Sequence, residues 1–404
     1  MRTPAADAWP AAEPLQARPM VDGFAIALVI VAGVVSALHV GKGPIALPEM
    51  EREFGMSLAS LSWLLSVFPL VGLAGGVVAG VLVQRRGDRR MLVTGLLILG
   101  LASLLGLAAP DFGWLIASRV VEGLGFLLVV VAAPSVLNRL APPERRSIVF
   151  GVWSCFMGMG IALSMLLGPL LRHWRGLWGM AAALALLVAL WVAFRVPVAA
   201  APSATPQRRN AVRDLRRVFE ARAPLWLALG FAAYNLQFFA LMSFLPTFLM
   251  QRAQLSIGQA GSAAAFIVAV NMAGNLLAGV WLQRGMRPGR LMALTCALTG
   301  PLGFALFWSA TPVLMLIPLC ALFSAAAGVL PSTFVTCAPR AVPTPDLAPV
   351  SLGLVMQGNY LGQVLGPMVA GGLLAAGGWP AVGLQVATAA LLGVVLAYCY
   401  QKYS

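Results

Sequence analysis

The chain is a succession of apolar runs, each about as long as a bilayer is thick, with charge confined to the short gaps between them. A helix needs about 20 apolar residues to cross the hydrocarbon core. Twelve stretches meet that need, at roughly 24–47, 57–83, 91–109, 113–138, 147–171 and 176–195, then 225–250, 257–283, 291–309, 312–337, 347–376 and 379–400. Residues 291–339 and 347–401 contain no Asp, Glu, Lys or Arg and are too long for one helix. Ala310-Thr311-Pro312 and Gly377-Gly378-Trp379-Pro380 divide them by turn chemistry. With 60% hydrophobic and 10% charged residues, the chain lacks the polar surface to coat a water-soluble particle. An all-α membrane protein of twelve transmembrane helices is expected, with the lipid bilayer as its solvent.

The formal net charge of +14 would in isolation suggest nucleic acid. Here the arginines sit in short clusters between apolar runs, which is the pattern of cytoplasmic loops, so no nucleic-acid partner is expected. Clusters follow spans two, four, six, eight and ten, and with the termini they hold 21 of the 27 basic residues. Both termini are therefore expected in the cytoplasm of a bacterial-type inner membrane. Trp114, Trp174, Trp226, Trp308 and Trp379 lie near span ends, where interface anchors belong. The first run is long enough to span and reads as an uncleaved helix, not a signal peptide. The five cysteines all fall in apolar runs without CxxC spacing, so neither a disulfide framework nor a metal site is expected. The expected organisation is a cytoplasmic tail at 1–23, a six-helix bundle at 24–195, a cytoplasmic linker at 196–224, a second bundle at 225–400 and a short tail at 401–404.

The two bundles are repeats. Leu47-Pro48 reappears as Leu245-Pro246, and Gly80-Val-Leu-Val-Gln84-Arg85 as Gly279-Val-Trp-Leu-Gln283-Arg284. Pro134-Ser135 reappears as Pro331-Ser332, and Gly168-Pro169 as Gly366-Pro367. The four matches keep their order at offsets of 197 to 199 residues, so each half has the same in–out topology. Parallel halves of this kind hold substrate between them near the bilayer midplane.

On these residues the chain resembles the major facilitator superfamily over essentially its whole length. The loop motif of that family, Gly-x-Leu-x-Asp-Arg-x-Gly-Arg-Arg, stands here as Gly80-Val-Leu-Val-Gln84-Arg85-Arg86-Gly87-Asp88-Arg89-Arg90. Its acidic position is Gln84, and Asp88 replaces a basic residue. The resemblance implies that Gln84, Arg85, Gly87, Asp88 and Arg89 belong to a cytoplasmic gate. Arg119-x3-Gly123-x-Gly125 resembles the span-four motif, which implies proton coupling at Arg119. Gly158, Gly160 and Gly168-Pro169 resemble part of the span-five antiporter motif. Trp153 to Gly158 and Trp174 to Trp178 are similar to members described as cyanate or nitroimidazole permeases.

No Gly-x4-Gly-Lys-Ser/Thr loop is present, and the two histidines form neither an HExxH nor a Ser-His-Asp arrangement. No enzyme activity, cofactor or metal is expected. The informative residues are four ionisable groups within spans, each costly unless it faces a cavity or finds a partner. His39 and Lys42 in span one, and Arg119 and Glu122 in span four, each have the i,i+3 spacing that shares a helix face. At ~1.5 Å per residue, His39 and Glu122 lie ~12 Å below the outer end, and Lys42 and Arg119 ~7.5 Å. The four would form two matched rungs if spans one and four are neighbours, as the resemblance implies.

Glu122 is the expected proton carrier, with Arg119 tuning it and His39 second, because imidazole titrates near neutral pH. His39, Lys42 and Arg119 are the expected anion-holding groups. Each has an alternative: an intrahelical Arg119–Glu122 pair, a Lys42 that reaches back to the interface, a hydrogen-bonded packing role for His39. The second half offers neutral groups to face them, namely Tyr234, Asn235, Gln237, Asn271, Asn275, Gln357, Asn359 and Tyr360. Asn271 and Asn275 could equally join helices. The expected function is a monomeric secondary transporter that moves a small anionic or polar solute with protons by alternating access. The alternative is a proton antiporter that exports a drug or apolar metabolite.

Overall fold

The computed structural model describes residues 23–171, 173–198, 211–344 and 347–403, without the side chains of Val77, Gln84, Ser147 and residues 211–215. The predicted tail up to residue 22, residues 199–210 of the predicted linker and Ser404 lie outside the described residues. Every regular element among the described residues is helical. The first half comprises α1 (Gly23–Phe54), α2 (Leu58–Arg86), α3 (Asp88–Leu107) and α4 (Phe112–Leu140), then α5 (Arg146–Ser154) and α6 (Phe156–Leu167) as one span, and α7 (Trp174–Arg195). A short helix, α8 (Ala211–Glu220), precedes the second half. There α9 (Ala223–Met242) and α10 (Leu245–Ala253) form span seven, followed by α11 (Ile257–Gln283) and α12 (Pro288–Phe307). Span ten is α13 (Val313–Ala327) with α14 (Val329–Cys337), and α15 (Ala348–Tyr403) closes the chain.

Among the described residues, eleven stretches are long and apolar enough to cross a membrane, the last of them α15 with 56 residues. At 1.5 Å per residue that helix would run about 84 Å, nearly three core thicknesses. Gly378, at φ +67° and ψ −164°, breaks it into spans eleven and twelve. Only a residue without a Cβ adopts such a conformation freely. The total among the described residues is twelve. Helix starts are set locally: Ser57 and Asp111 accept the amides of Ser60 and Trp114, and Ser256 and Gln259 form a capping box.

Helix α1 does not end near residue 47 as apolarity suggests but runs through Pro48 to Phe54. Its last turns leave the apolar zone and present Glu49 and Glu53 to the start of α7. Glu49 accepts the Trp174 amide at 2.7 Å and pairs with His173 at 2.9 Å, and Glu53 pairs with Arg175 at 2.5 Å. Trp174 is accordingly packed in the interior at 2% exposure and is not a lipid-facing anchor. Spans five, seven and ten are interrupted near Cys155, Ser243 and Gly328, breaks that mean hydropathy does not register. Large apolar side chains such as Leu314, Phe194 and Leu170 face outward, as a surface solvated by lipid requires.

Within the second half, Gly358, Gly362 and Gly366 recur every four residues on α15 and press on α9. A Cβ at Gly358 would meet the Ala228 backbone, and one at Gly362 the Ala232 backbone and the Asn235 side chain. This small-residue face lets the two backbones approach. Gly358→Val should therefore destabilise the purified protein by about 1–3 kcal/mol through overpacking. A thermal melt in detergent that matches the parent would contradict this packing.

The halves meet along two seams. On one, α2 runs against the first part of α15, with Gly371 on Ser62, Gly72 on the Tyr360 ring and Gly76 near the Gln357 amide. On the other, α6 meets α11, with Gly261 on Met165 and Pro169, and Gly158 on Met272. Both seams begin on the face opposite the arginine-rich loops and run to mid-membrane.

Candidate functional site

Spans one and four lie side by side in the first half, and the i,i+3 pairs on each turn toward one another. His39, Lys42 and Glu122 are fully buried and Arg119 is 1% exposed. Lys42 Nζ donates to Glu122 Oε1 at 2.6 Å and to Ser103 Oγ at 2.7 Å, and lies 3.3 Å from His39 Nδ1. Ser103 in turn donates to the Trp178 carbonyl at 2.9 Å. Arg119 Nη1 donates to Glu122 Oε2 at 2.5 Å and to the His39 carbonyl at 2.8 Å, while its Nε donates to the Leu64 carbonyl at 3.3 Å. Each cation also sits over an aromatic ring, Lys42 on Trp178 at 4.3 Å and Arg119 on Phe68 at 4.4 Å.

One carboxylate is thus bridged between two cations. The rungs expected from depth are crossed: Lys42 reaches down to Glu122, and Arg119 reaches across to the His39 backbone. Lys42 does not turn back to the interface, because Glu122, Ser103 and His39 take all three of its donors. An ammonium has no lone pair to offer, so His39 Nδ1 must accept from it. With Lys42 charged, the ring proton is assigned to Nε2, which has no hydrogen-bond partner. Counting Lys42 and Arg119 against Glu122, the buried cluster carries a net single positive charge.

Only one member of this cluster faces the space between the halves. A small interdomain cavity of about 30 Å³ is lined by Arg119, Ser243 and Gln363 among apolar walls that include Leu65, Phe68 and Phe239. That is room for about two waters. His39, Lys42 and Glu122 lie behind Arg119.

The neutral groups predicted in the second half are divided by their partners. Asn235 donates to the Asn359 side chain at 2.7 Å, and Gln363 donates to the same oxygen at 3.1 Å, a network that reaches the cavity through Gln363. Asn271 donates to the Ser324 carbonyl at 2.9 Å, Asn275 donates to Asn271 at 3.2 Å, and Ser332 donates to Asn275 at 2.8 Å. These two asparagines join spans eight and ten. Gln237 is fully buried with both amide atoms unpartnered. Gln357 and Tyr360 sit in the seam against α2. None of Tyr234, Gln237, Asn271 and Asn275 lines the cavity.

The predicted gate residues make their contacts inside the first half. Gly87, at φ +91°, turns the chain from α2 into α3. Asp88 accepts the Arg89 amide at 2.6 Å and two bonds from Arg139, each 3.1 Å, which tie α3 to α4. The Arg89 guanidinium donates to the Ala193 carbonyl on α7. Arg85 is exposed, and the Gln84 side chain lies outside the described residues.

Sequence reasoning did not find Gln363, Ser243, Ser103 or Trp178. Gln363 carried a signal, one helical turn beyond Asn359 on the same face. Ser103 and Trp178 carried none, since a serine or tryptophan in an apolar span is ordinary.

The description Major Facilitator Superfamily applies to a family profile that matches residues 29–351. The chain belongs to that superfamily and is a membrane transporter. It is 28% identical over 292 residues to the cyanate transport protein CynX of Escherichia coli (strain K12), across 72% of this chain and 74% of that protein. It is 38% identical over 133 residues to the puromycin resistance protein pur8 of Streptomyces alboniger, a match that spans 32% of this chain and only 26% of that one. Among solved structures, a D-xylose-proton symporter aligns with a TM-score of 0.76 at 16% identity, over 94% of this chain and 97% of that chain. A bacterial homologue of the human lysosomal transporter Spinster, inward-facing and occupied, aligns with a TM-score of 0.76 at 18% identity, over 95% and 97%. Identities this low show the fold alone.

Proposed function

We propose that this chain carries a small monoanion together with a proton across a bacterial inner membrane by alternating access, with the arginine-rich loops and both termini in the cytoplasm. One observation carries the proposal: Arg119 is the charged side chain that lines the interdomain cavity, and it fronts a buried cluster with one positive charge in excess. A buried excess charge is unfavourable by several kcal/mol, and a bound monoanion offsets it. The cavity, with room for about two waters, favours a small solute. The name of the E. coli relative, a cyanate transport protein, falls in this class.

Loading follows from the geometry of Glu122. An anion that accepts from the Arg119 guanidinium competes with Glu122 Oε2 for it, and the released oxygen can take a proton while Lys42 holds Oε1. Anion and proton then load together, and the pair is electroneutral. The two seams must separate for the solute to enter from the face opposite the arginine-rich loops, and the glycines along them keep the facing helices close without interlocking large side chains from both sides.

A second function, export of a more apolar solute against protons, is favoured by the cavity walls, which apart from Arg119, Ser243 and Gln363 are apolar. Two relatives are named for resistance, to puromycin and to methyl viologen. Proteoliposomes separate the two. Uptake of a labelled monoanion from a panel of cyanate, formate and nitrate should rise with an inward proton gradient and collapse with an uncoupler. Indifference to the gradient would contradict symport.

The loop between α2 and α3 acts as a hinge lock far from the cavity. Arg89→Ala should slow turnover several-fold with substrate affinity nearly unchanged, and Gln84→Asp should be tolerated. A change in affinity alone would remove Arg89 from the gate.

A further inference from the structure

A second cavity opens on the arginine-rich side of the other half, where the end of α11, the start of α12 and the end of α15 converge. It measures about 770 Å³ and is lined at its mouth by Arg284, Arg287 and Arg290. Among the described residues these three side chains have no hydrogen-bond or ion-pair partner, in contrast to Arg89, Arg139 and Arg252, which are all tied to carbonyls or carboxylates. Among the described residues no acidic side chain lines the cavity, and the sequence after Glu220 holds a single acidic residue, Asp346.

The wall above the arginines is apolar and climbs into the membrane. Leu294 and Ala297 on α12 face Val394 and Tyr398 on α15, with Leu294 53% and Tyr398 66% exposed. From Arg290 to Ala297 the groove rises about 10 Å along the helix axis. Three unpaired cations at the rim and an open apolar channel above them match one kind of molecule: a phosphate headgroup with acyl chains attached.

We infer that this groove is a binding site for an anionic phospholipid of the leaflet on that side, with the phosphate held by Arg284, Arg287 and Arg290 and an acyl chain lying between α12 and the end of α15. Guanidinium forks suit phosphate oxygens. Basic pockets between transmembrane helices recognise anionic headgroups. A free phosphate would satisfy the rim but leave the apolar channel unused, so the lipid is the occupant.

The test is saturable lipid binding to the intact, detergent-purified protein, followed by native mass spectrometry with phosphatidylglycerol as the probe. The parent should bind phosphatidylglycerol in preference to phosphatidylcholine. With each arginine contributing about fivefold, Arg284→Gln/Arg287→Gln/Arg290→Gln should weaken binding by about 100-fold. A control that removes the same charge elsewhere on that face, Arg86→Gln/Arg90→Gln/Arg146→Gln, should bind like the parent. Ala297→Phe, which blocks the channel and leaves the arginines, should also lose the lipid. Four results would each overturn the site: equal binding of phosphatidylcholine, equal loss in the control, full competition by inorganic phosphate, or unchanged binding in either groove variant.

Discussion

Glu122→Gln will bind substrate and run counterflow exchange but fail to accumulate substrate against a gradient. Glutamine keeps the shape of the protonated carboxyl and cannot release a proton, so the carrier can cycle loaded but cannot couple. An electroneutral one-to-one symporter sustains about tenfold accumulation per pH unit, since each unit is worth about 1.4 kcal/mol. The parent should reach that ratio with one unit of inward gradient, and the variant should stay near one. The substitution also leaves two buried cations without their carboxylate, so the melting temperature should fall. Accumulation that survives in Glu122→Gln would assign Glu122 to structure. The proton would then have to be sought at His39, whose Nε2 is buried without a partner.

Arg119→Ala will lose both binding and accumulation. Arg119 presents its charge to the cavity, and a hydrogen bond to a charged group contributes about 1.5–3 kcal/mol, so affinity for a small anion should drop by about 10- to 150-fold. Glu122 Oε2 and the carbonyls of His39 and Leu64 also lose their donor. Breaking a buried pair in this way destabilises by about 3–5 kcal/mol. Arg119→Lys should recover only part of either effect, because a single ammonium cannot reach oxygens that a planar fork spans. Lys42→Gln provides the contrast: it should lower stability to a similar extent and leave affinity much closer to the parent, because Lys42 lies behind Arg119. Equal loss of affinity in Lys42→Gln and Arg119→Ala would place the anion between them instead.

Much of this architecture was legible in the residues, and what was missing has physical causes. Charge-free runs fixed twelve spans, and the Gly377-Gly378 pair marked the break that φ at Gly378 makes real. Hydropathy registers only the part of a helix in lipid, so the continuation of α1 to Phe54 was invisible to it. Spacing of i,i+3 put His39 with Lys42 and Arg119 with Glu122, but depth counted from Cα positions ignores side-chain length. A lysine stem spans a helical turn, which is why Lys42 meets Glu122 and the rungs cross. The second-half amides were legible as polar groups in apolar spans. Their division into Asn271 and Asn275 between spans eight and ten, and Asn235 with Asn359 bonded to the cavity-lining Gln363, depends on neighbours far apart in sequence.

The most direct measurement follows protons as substrate enters. Proteoliposomes with a trapped pH dye and no imposed gradient receive an external pulse of the monoanion that the parent takes up best. Symport through Arg119 and Glu122 predicts acidification of the interior, in step with labelled uptake at about one proton per anion, and no pH signal in Glu122→Gln despite continued exchange. Alkalinisation of the interior during uptake would contradict it and place the chain with the proton-driven exporters.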